Sequence, residues 1–436
     1  MWKGATITGR LTGATSVVGA TLGEGTFGRV SQAILADGRT VAVKLLKLER
    51  DDRKGEQLAT LCRMGRTHPC FVGWPWDYGR TPNGYWYFFM DLAPATFWPM
   101  NDYLTGKQAL SLRALLRACF HLADAMATLH LNGLAFQDVS SNQVLLTSRG
   151  DAAIVDCDAI DVEDAVSANG GTRGYLTVKR ALGQEPASIM TDAFALGVLL
   201  FQLMTGGHPQ SGMKESTLDF VDDGMRNAWY RDRPLFVFSK SDRSNWPDPT
   251  TIEGLMTERW LFLPTEVRDA FHQHFTEGPS DSSRCILETQ WRELFGKLPD
   301  AVFACGACGS PALDDPATIA PACRNCDRLL DRPQRLEIRR ASRHRSDAAY
   351  VVTIANDMRL YAHHVDGRRG FDFTVAGRLV RTAQHHGKFV GLQNLTSHVW
   401  RSTQRDGSWR RIAPQEVVPL TLGSTIHFPG GVAVLA

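Results

Sequence analysis

The chain has 436 residues, 43% hydrophobic and 22% charged, with a formal net charge of +2. At roughly 100–200 residues per domain the length points to two to four domains, and the composition excludes disorder, collagen-like sequence or a small disulfide scaffold for the whole. The longest apolar run, residues 194–204 (FALGVLLFQLM), is too short to span a bilayer, and the first residues (MWKGATITGR) lack the apolar stretch of a secretory signal. Nine cysteines, an odd number with four in a metal-type pattern, fit a reducing compartment. A cytoplasmic protein with no membrane contact is expected. The small net charge conceals an asymmetry. From Asp327 onward 17 Lys/Arg face 9 Asp/Glu, and 16 of the 17 are arginine. A solvated basic face, a phosphoprotein surface and a nucleic-acid surface all fit that bias.

No internal repeat is visible, so solenoids and propellers are not expected. Residues 16–298 open with strand-like runs at 17–22, 30–35 and 40–46 and then turn helical. Ser111 caps a stretch in which Leu112, Leu115, Leu116, Cys119, Leu122, Ala123, Met126 and Leu129 recur at helical spacing, which predicts one buried face of a long helix. Strands first and helices later predict an α+β domain with two lobes. Residues 303–332 form a Cys/Gly/Pro/Asp-rich module too small to hold a core. Residues 334–436 alternate strand-like runs (350–354, 358–363, 373–381, 388–393, 417–422, 424–428) with turn residues. Asp366-Gly367 and Asp406-Gly407 read there as hairpin signals, and a β-sandwich is expected.

The chemistry lies in the first block. Gly23-Glu24-Gly25-Thr26-Phe27-Gly28-Arg29-Val30 follows the pattern GxGxxGxV, in which glycines let a hairpin lie close over phosphates. Many glycine-rich hairpins bind nothing, so the pattern alone is weak. Sixteen residues after Gly28, the strand Val41-Ala42-Val43-Lys44 carries an amine able to pair with nucleotide phosphates. Asp138 follows the long helix, and Asp156 lies 18 residues further on in Val155-Asp156-Cys157-Asp158. One carboxylate can accept the proton of an attacking hydroxyl while the other holds Mg²⁺ on the phosphates. Gly171-Thr172-Arg173-Gly174-Tyr175 and then Asp192, at the start of a very apolar helix, complete the order. Packing alone does not produce this succession.

Residues 16–298 resemble the protein kinase family. The resemblance implies a bilobal α+β fold that uses ATP and Mg²⁺, with Gly23, Gly25 and Gly28 as the phosphate loop and Val30 beside it. Lys44 becomes the ATP-binding lysine, Glu56 its partner on the following helix, and Glu49 the fallback. Met90 would sit behind the adenine, with Asp91-Leu92-Ala93 as the hinge. Asp138 becomes the catalytic aspartate, Asp156 the magnesium aspartate and Asp192 the support of the catalytic loop. More narrowly, Ser140, the Asp-x-Asp in place of Asp-Phe-Gly, and the text AFALGVLLFQLMTGGHP resemble kinases of bacterial tellurite-resistance (TerY-type) phosphorylation systems. Those kinases act beside a metal-dependent phosphatase and a von Willebrand A-domain protein. Three departures stand out. Gln143 holds the usual asparagine position of the second metal ligand, with Asn142 as a substitute. Gln137 replaces the arginine before the catalytic aspartate. Lys179 stands where a glutamate pairs with a late arginine, here Arg284, which it would repel.

Cys305-x-x-Cys308 and Cys323-x-x-Cys326 are separated by 14 residues. Two such knuckles can present four thiolates to Zn²⁺ in a structural site; a dithiol pair and chance are the alternatives. Cys62, Cys70, Cys119, Cys157 and Cys285 read as buried small hydrophobes. The last block resembles a forkhead-associated (FHA) domain through Gly377-Arg378, the run Gly391-Leu392-Gln393-Asn394-Leu395, Trp400 and the ending VVPLTLGSTIHFPGGVAVL. That resemblance gives Arg378 a phosphothreonine contact, with His385, His386, Ser397 and His398 as loose further candidates for a phosphopeptide site.

Two functions follow. The first is an ATP- and Mg-dependent serine/threonine protein kinase acting on a protein partner in a bacterial signalling or stress-response system. The alternative is a nucleotide-binding pseudokinase scaffold that docks partners through its zinc ribbon and FHA-like module. Aromatic interleaving among the C-terminal cations is thin, so nucleic acid is not an expected partner.

Overall fold

Alternating apolar and polar residues at the start of the chain build an antiparallel sheet. The computed structural model describes the chain except residues 1, 26–27, 48, 164–170, 217, 219, 249–253, 319–320, 341–349, 356–357, 368–369, 385–386, 404–406, 424 and 436, and the side chains of 382–384 and 387–389. The sheet contains β1 (Thr6–Thr8), β2 (Thr15–Glu24), β3 (Gly28–Leu35), β4 (Thr40–Leu46), β5 (Asp77–Arg80) and β6 (Trp86–Met90), ordered β1-β2-β3-β4-β6-β5. Helix α1 (Asp52–Met64) connects β4 to β5. The period-two alternation of β4 sends Val41 and Val43 against Val18, Tyr87 and Phe89, while Ala42 and Leu46 meet Leu58, Phe88 and Met90 on the other face. Asp77 is fully buried and accepts the N–H groups of Leu11 (2.9 Å) and Thr12 (3.0 Å). Those bonds tie residues ahead of 16 to the same sheet.

Next come β7 (Trp98–Pro99), α2 (Met100–Leu104), α3 (Leu112–Leu131), β8 (Leu134–Ala135), β9 (Val144–Leu146), β10 (Ala152–Ile154), β11 (Asp161–Val162), α4 (Val178–Ala181) and α5 (Ile189–Thr205). The expected long helix is α3, and its N-cap Ser111 hydroxyl accepts from Ala114 N–H. Helix α5 is buried almost all round and starts with a capping box between Ser188 and Thr191. Then follow α6 (Met213–Ser216), α7 (Asp223–Asn227), α8 (Gly254–Phe262), α9 (Thr265–Glu277) and α10 (Glu288–Lys297). The aromatic residues between α7 and α9 build core: Phe236, Phe238 and Trp260 close around Phe201 of α5 at centroid distances of 5.7, 6.2 and 6.1 Å.

The chain divides into two compact units, residues 1–260 with 268–293, and residues 261–267 with 294–436. Within the second unit, β12 (Val302–Ala304) and β13 (Pro311–Leu313) form a hairpin. The unit continues through β14 (Arg335–Arg340), β15 (Tyr350–Thr353), β16 (Arg359–Tyr361), α11 (Ala362–Val365), β17 (Val375–Gln384), β18 (Gly387–Asn394), β19 (Trp400–Thr403), β20 (Trp409–Ile412), β21 (Val417–Pro419), β22 (Thr425–Phe428) and β23 (Gly431–Leu435). Two antiparallel sheets result, ordered β15-β14-β23-β22-β19-β20 and β16-β17-β18-β21. Leu336, Ile338, Trp400, Ile426 and Ala433 of one share a core with Leu360, Ala376, Leu392 and Val418 of the other. The Asp366-Gly367 signal does not make a hairpin. Asp366 instead ends the single turn of α11, which opens with the Tyr361 N–H donating to His364 Nδ1. Asp406 lies outside the described residues.

One buried ion cluster pins α3, α5 and α10 together. His130 of α3, 3% exposed, lies 3.5 Å from Asp192 and 3.3 Å from Glu288. Burial alone would lower its pKa, but the two carboxylates more than offset this and raise it to about 9. Because the folded value lies above the unfolded one of about 6.5, the stabilisation is complete below that pH and is lost as pH rises through about 9. Both contacts are long for hydrogen bonds, so the expected loss is on the order of 1–2 kcal/mol. Thermal melts at pH 7 and pH 9.5 should show this drop in the native protein, and His130→Gln should largely remove the pH dependence; an unchanged slope in the variant would refute the assignment.

Candidate active site

Lys44 is the centre of the site, and β4 places it there. The strand's alternation turns this side chain inward, and across the sheet it pairs with Val30 on β3 and Phe88 on β6. Only 4% of Lys44 is exposed. Its Nζ donates to Asp156 Oδ1 at 2.5 Å and to Asp158 Oδ1 at 2.6 Å. Burial opposes the ammonium charge, but Asp158 and Asp156 outweigh it and hold the pKa above the ordinary value. The carboxylates divide the effect. Burial and the neighbouring Asp158 push Asp156 up, whereas Lys44 and then Lys54 overcome burial and hold Asp158 down. Asp156 has a left-handed backbone, φ 63°, and 45% of its side chain is open to solvent, against 13% for Asp158.

Glu56 is not brought to Lys44. Gly55 packs on Trp86 so closely that a Cβ there would lie 2.3 Å from the ring. This contact fixes the rotation of α1 and leaves Glu56 exposed. Lys54 Nζ instead donates to Asp158 O at 2.6 Å, and Gln57 Nε2 donates to Asp158 O at 3.1 Å and Ile160 O at 2.5 Å. The fallback, Glu49, is half-buried, and its carbonyl accepts from Trp86 N–H.

Above Lys44 the glycine loop joins β2 to β3. Gly23 and Gly25 have open space where a Cβ would stand, and the Gly25 N–H donates to Gly28 O at 2.9 Å. A Cβ on Gly28 would lie 2.8 Å from both Leu45 O and Lys44 Cε, so a side chain there displaces the lysine. Thr26 and Phe27 lie outside the described residues. Val30 packs against the buried cluster of Ala42, Met90 and Leu46, with Leu92 beside it. Asp91 is exposed and paired with Arg66 at 2.8 Å, and half-buried Ala93 follows two residues later.

Below Lys44 lies the loop carrying Asp138. Asp192 accepts the N–H of Phe136 at 2.5 Å and of Gln137 at 2.9 Å. Gln137 is left-handed at φ 73°, a strain of about 1–2 kcal/mol for a residue with a Cβ. Charge-assisted bonds of this kind, worth about 1.5–3 kcal/mol each, offset it. Asp138 Oδ1 accepts from the Thr172 hydroxyl at 2.7 Å, and Oδ2 from Gln143 Nε2 at 3.3 Å. Gln143 Oε1 in turn accepts from the Ser140 hydroxyl. Asn142 points away, exposed, and its Oδ1 accepts from Asn101 Nδ2 at 2.8 Å. Tyr175 OH accepts from Ser141 N–H (3.2 Å) and donates to Gln202 (2.6 Å), anchoring the Thr172 segment to the loop.

The expected Lys179–Arg284 repulsion is relieved. Both cations are exposed and flank Asp281, whose carboxyl is already held low by Ser283. Glu185 does the bridging, accepting from the hydroxyls of Thr177 (2.8 Å) and Ser282 (2.5 Å). Sequence alone assigns no site role to Asp158, Thr172, Lys54, Gln57 or Glu185. The visible signal was a carboxylate at position 158, where a glycine is usual.

In the second unit the Sγ atoms of Cys305 and Cys326 are 3.9 Å apart, those of Cys308 and Cys323 are 3.5 Å apart, and all four lie within 4.8 Å of one another. Thiolates at 2.3 Å from a tetrahedral zinc are about 3.8 Å apart, so the set fits that ion. The knuckles match: Gly309 N–H bonds Cys305 O, Asp327 N–H bonds Cys323 O, and both closing residues are left-handed. A second group, Asp300, His363 and His364, is a core hydrogen-bond set. His364 Nδ1 accepts from Tyr361, which leaves its Nε2–H to donate to Asp300 at 2.9 Å. Arg378 sits within β17, exposed, with Nε donating to Gln393 at 2.8 Å. Ser397 and His398 are exposed in the turn that follows Asn394. His385 and His386 lie outside the described residues.

Residues 16–261 match the protein kinase domain family. The chain is 32% identical over 188 residues to the serine/threonine-protein kinase PknA of Mycobacterium tuberculosis, covering 40% of this chain and 43% of that protein. It is 28% identical over 223 residues to the serine/threonine-protein kinase PknD of Protochlamydia amoebophila, covering 44% and 21% respectively. With the serine/threonine-protein kinase SCH9 of Saccharomyces cerevisiae it shares 26% identity over 207 residues, covering 43% and 24%. The chain thus spans less than half the length of these curated relatives. Its sheet lobe, the inward lysine, the two aspartates beneath it and this match place the chain in the protein kinase family.

Proposed function

We propose that the protein transfers the γ-phosphoryl group of ATP to a serine or threonine hydroxyl of a partner protein. The observation that carries this reading is the convergence of Lys44, Asp156 and a hydroxyl-bound Asp138 in one cleft. Lys44 and the glycine loop hold the phosphates, and Val30, Ala42 and Met90 face the base, with Asp91 and Ala93 at the hinge. Asp138 orients the acceptor hydroxyl and takes its proton. The hydroxyl oxygen bonds to the γ-phosphorus as the bridge to the β-phosphate breaks, and ADP leaves with that bridging oxygen. Asp156, with Gln143 as a further donor, would hold magnesium, which would supply charge neutralisation on the phosphates. The half-open side chain of Asp156 suits that role. The Thr172 hydroxyl bonded to Asp138 supports a role for this carboxylate towards an aliphatic hydroxyl.

Several finer readings belong to the same proposal. The setting is a bacterial, TerY-type signalling or stress-response system in the cytoplasm, with a phosphatase and a von Willebrand A-domain protein as partners. Among the described residues no helix is long and apolar enough to cross a membrane. The four cysteines form a structural zinc ribbon. The sandwich is FHA-like: its first and last strands, β14 and β23, are paired, and Asn394 braces the turn at its edge by bonding His398 O, Ile412 O and Thr396. One observation favours the scaffold alternative. Gln143 Oε1 is taken by Ser140, so metal ligation by Gln143 requires that bond to open.

Labelled γ-phosphate transfer from Mg-ATP should be measured on the purified protein with a generic acceptor. Asp138→Ala and Asp156→Ala should each lower the rate about 10²–10⁴-fold; nucleotide binding with no transfer to any acceptor, partner proteins included, would favour the scaffold. Elemental analysis should find one zinc per chain. Cys305→Ser, or a strong chelator, should lower the melting temperature of the second unit by several degrees, and an unchanged melt would remove zinc from the account.

A further inference from the structure

We infer that Asp158, and not a carboxylate on α1, is the standing counter-ion of the nucleotide-binding lysine, and that α1 reaches the site through the main-chain carbonyls of Asp158 and Ile160. The inference rests on the kinase reading of the same cleft. Helix α1 carries two acidic residues, Asp52 and Glu56, and both are exposed. Its inward face carries Lys54, Gly55, Leu58, Leu61 and Cys62. No acid on that helix is turned towards Lys44, and the polar groups α1 does present, Lys54 and Gln57, are donors bonded to the carbonyls of Asp158 and Ile160.

Asp158 supplies the missing charge from the opposite lobe. Its Oδ1 is 2.6 Å from Lys44 Nζ, and its side chain is nearly closed to solvent, whereas that of Asp156 is half open. The two carboxylates are therefore not equivalent. Asp156 would hold a metal ion brought with the nucleotide, and Lys44 would then keep Asp158 as its partner. A buried lysine stripped of its remaining counter-ion would carry an uncompensated charge next to Lys54. Cys157 between them is completely buried, with Sγ 3.8 Å from Ile154 O, so the segment is held at its middle residue as well. Asp158 is a positioning residue: its bond to Nζ keeps Lys44 aimed at the phosphates. Movement of α1 would accordingly shift the segment that carries Asp156 while the lysine kept its partner.

Steady-state kinetics on the full chain test this. Asp158→Asn should lower kcat about 10²-fold and weaken Mg-ADP binding about tenfold, in line with loss of a charge-assisted bond. Asp158→Glu, which keeps the charge, should fall between Asp158→Asn and the native protein. Glu56→Gln should stay within about twofold of the native protein for both quantities. The double variant Lys44→Met with Asp158→Asn should be no slower than Lys44→Met alone, because both changes remove one interaction; a purely architectural Asp158 would make the two losses multiply. Multiplicative losses, native kcat in Asp158→Asn, or a large loss in Glu56→Gln would overturn the inference. If the native protein transfers no phosphate, the kinase reading fails. The pairing is then judged on Mg-ADP binding, where equal affinity of Asp158→Asn and native protein overturns it.

Discussion

A buried ammonium group needs a buried negative charge, and the lobe arrangement of this protein follows from how that need is met. Lys44 lies on a central strand of the sheet, whereas Asp156 and Asp158 belong to the segment after β10. Their ion pairs cross the cleft, so the charge that prepares the site for phosphates also holds its two sides together. Breaking one partner of such a cluster costs several times the value of a surface pair, about 3–5 kcal/mol against at most about 1. The carboxylate at position 158, where the family usually has glycine, is thus both a local oddity and a structural link. It frees α1 from supplying an acid, and α1 uses that freedom to grip the segment's carbonyls with Lys54 and Gln57.

The catalytic loop shows the same logic of substituted partners. Asp192 holds the strained Gln137 backbone and faces His130, which joins it to Glu288 on α10. Asp138 is then set by two neighbours, Thr172 and Gln143, and Gln143 by Ser140. Where the usual glutamate is replaced by Lys179, Glu185 bridges Thr177 and Ser282. At Lys179 the two segments are thus linked by another route, whereas the amide oxygen of Gln143 stays on Ser140.

Lys44, Asp138, Asp156 and the glycine loop were legible in the sequence because their spacing follows from strand and loop lengths. The Ser111 cap and α3 were legible because capping and periodicity are local. Glu56 turns outward for a packing reason that spacing does not carry: Gly55 must meet Trp86, and that one contact decides which face of α1 turns inward. Asn142 and Gln143 are adjacent, and only the pull of Ser140 and Asp138 on Gln143, against that of Asn101 on Asn142, selects between them. The kinase reading captured the α+β class of the first unit, and the all-β expectation is consistent with the strands of the C-terminal region. Strands β14 and β23 are not legible in the sequence because the arginines around Leu336 and Ile338 mask the alternation and the C-terminal run is merely apolar. The Asp366-Gly367 turn signal was overridden by His364, whose ring satisfies the Tyr361 N–H and starts a helical turn.

The most direct measurement is a crystal structure with Mg²⁺ and a non-hydrolysable ATP analogue. The account predicts phosphates at Lys44 and the glycine loop, metal on Asp156, and Lys44 still within hydrogen-bond distance of Asp158 with Glu56 in solvent. A structure in which Lys44 has left Asp158 for Glu56, or in which the nucleotide bypasses Lys44, would contradict it.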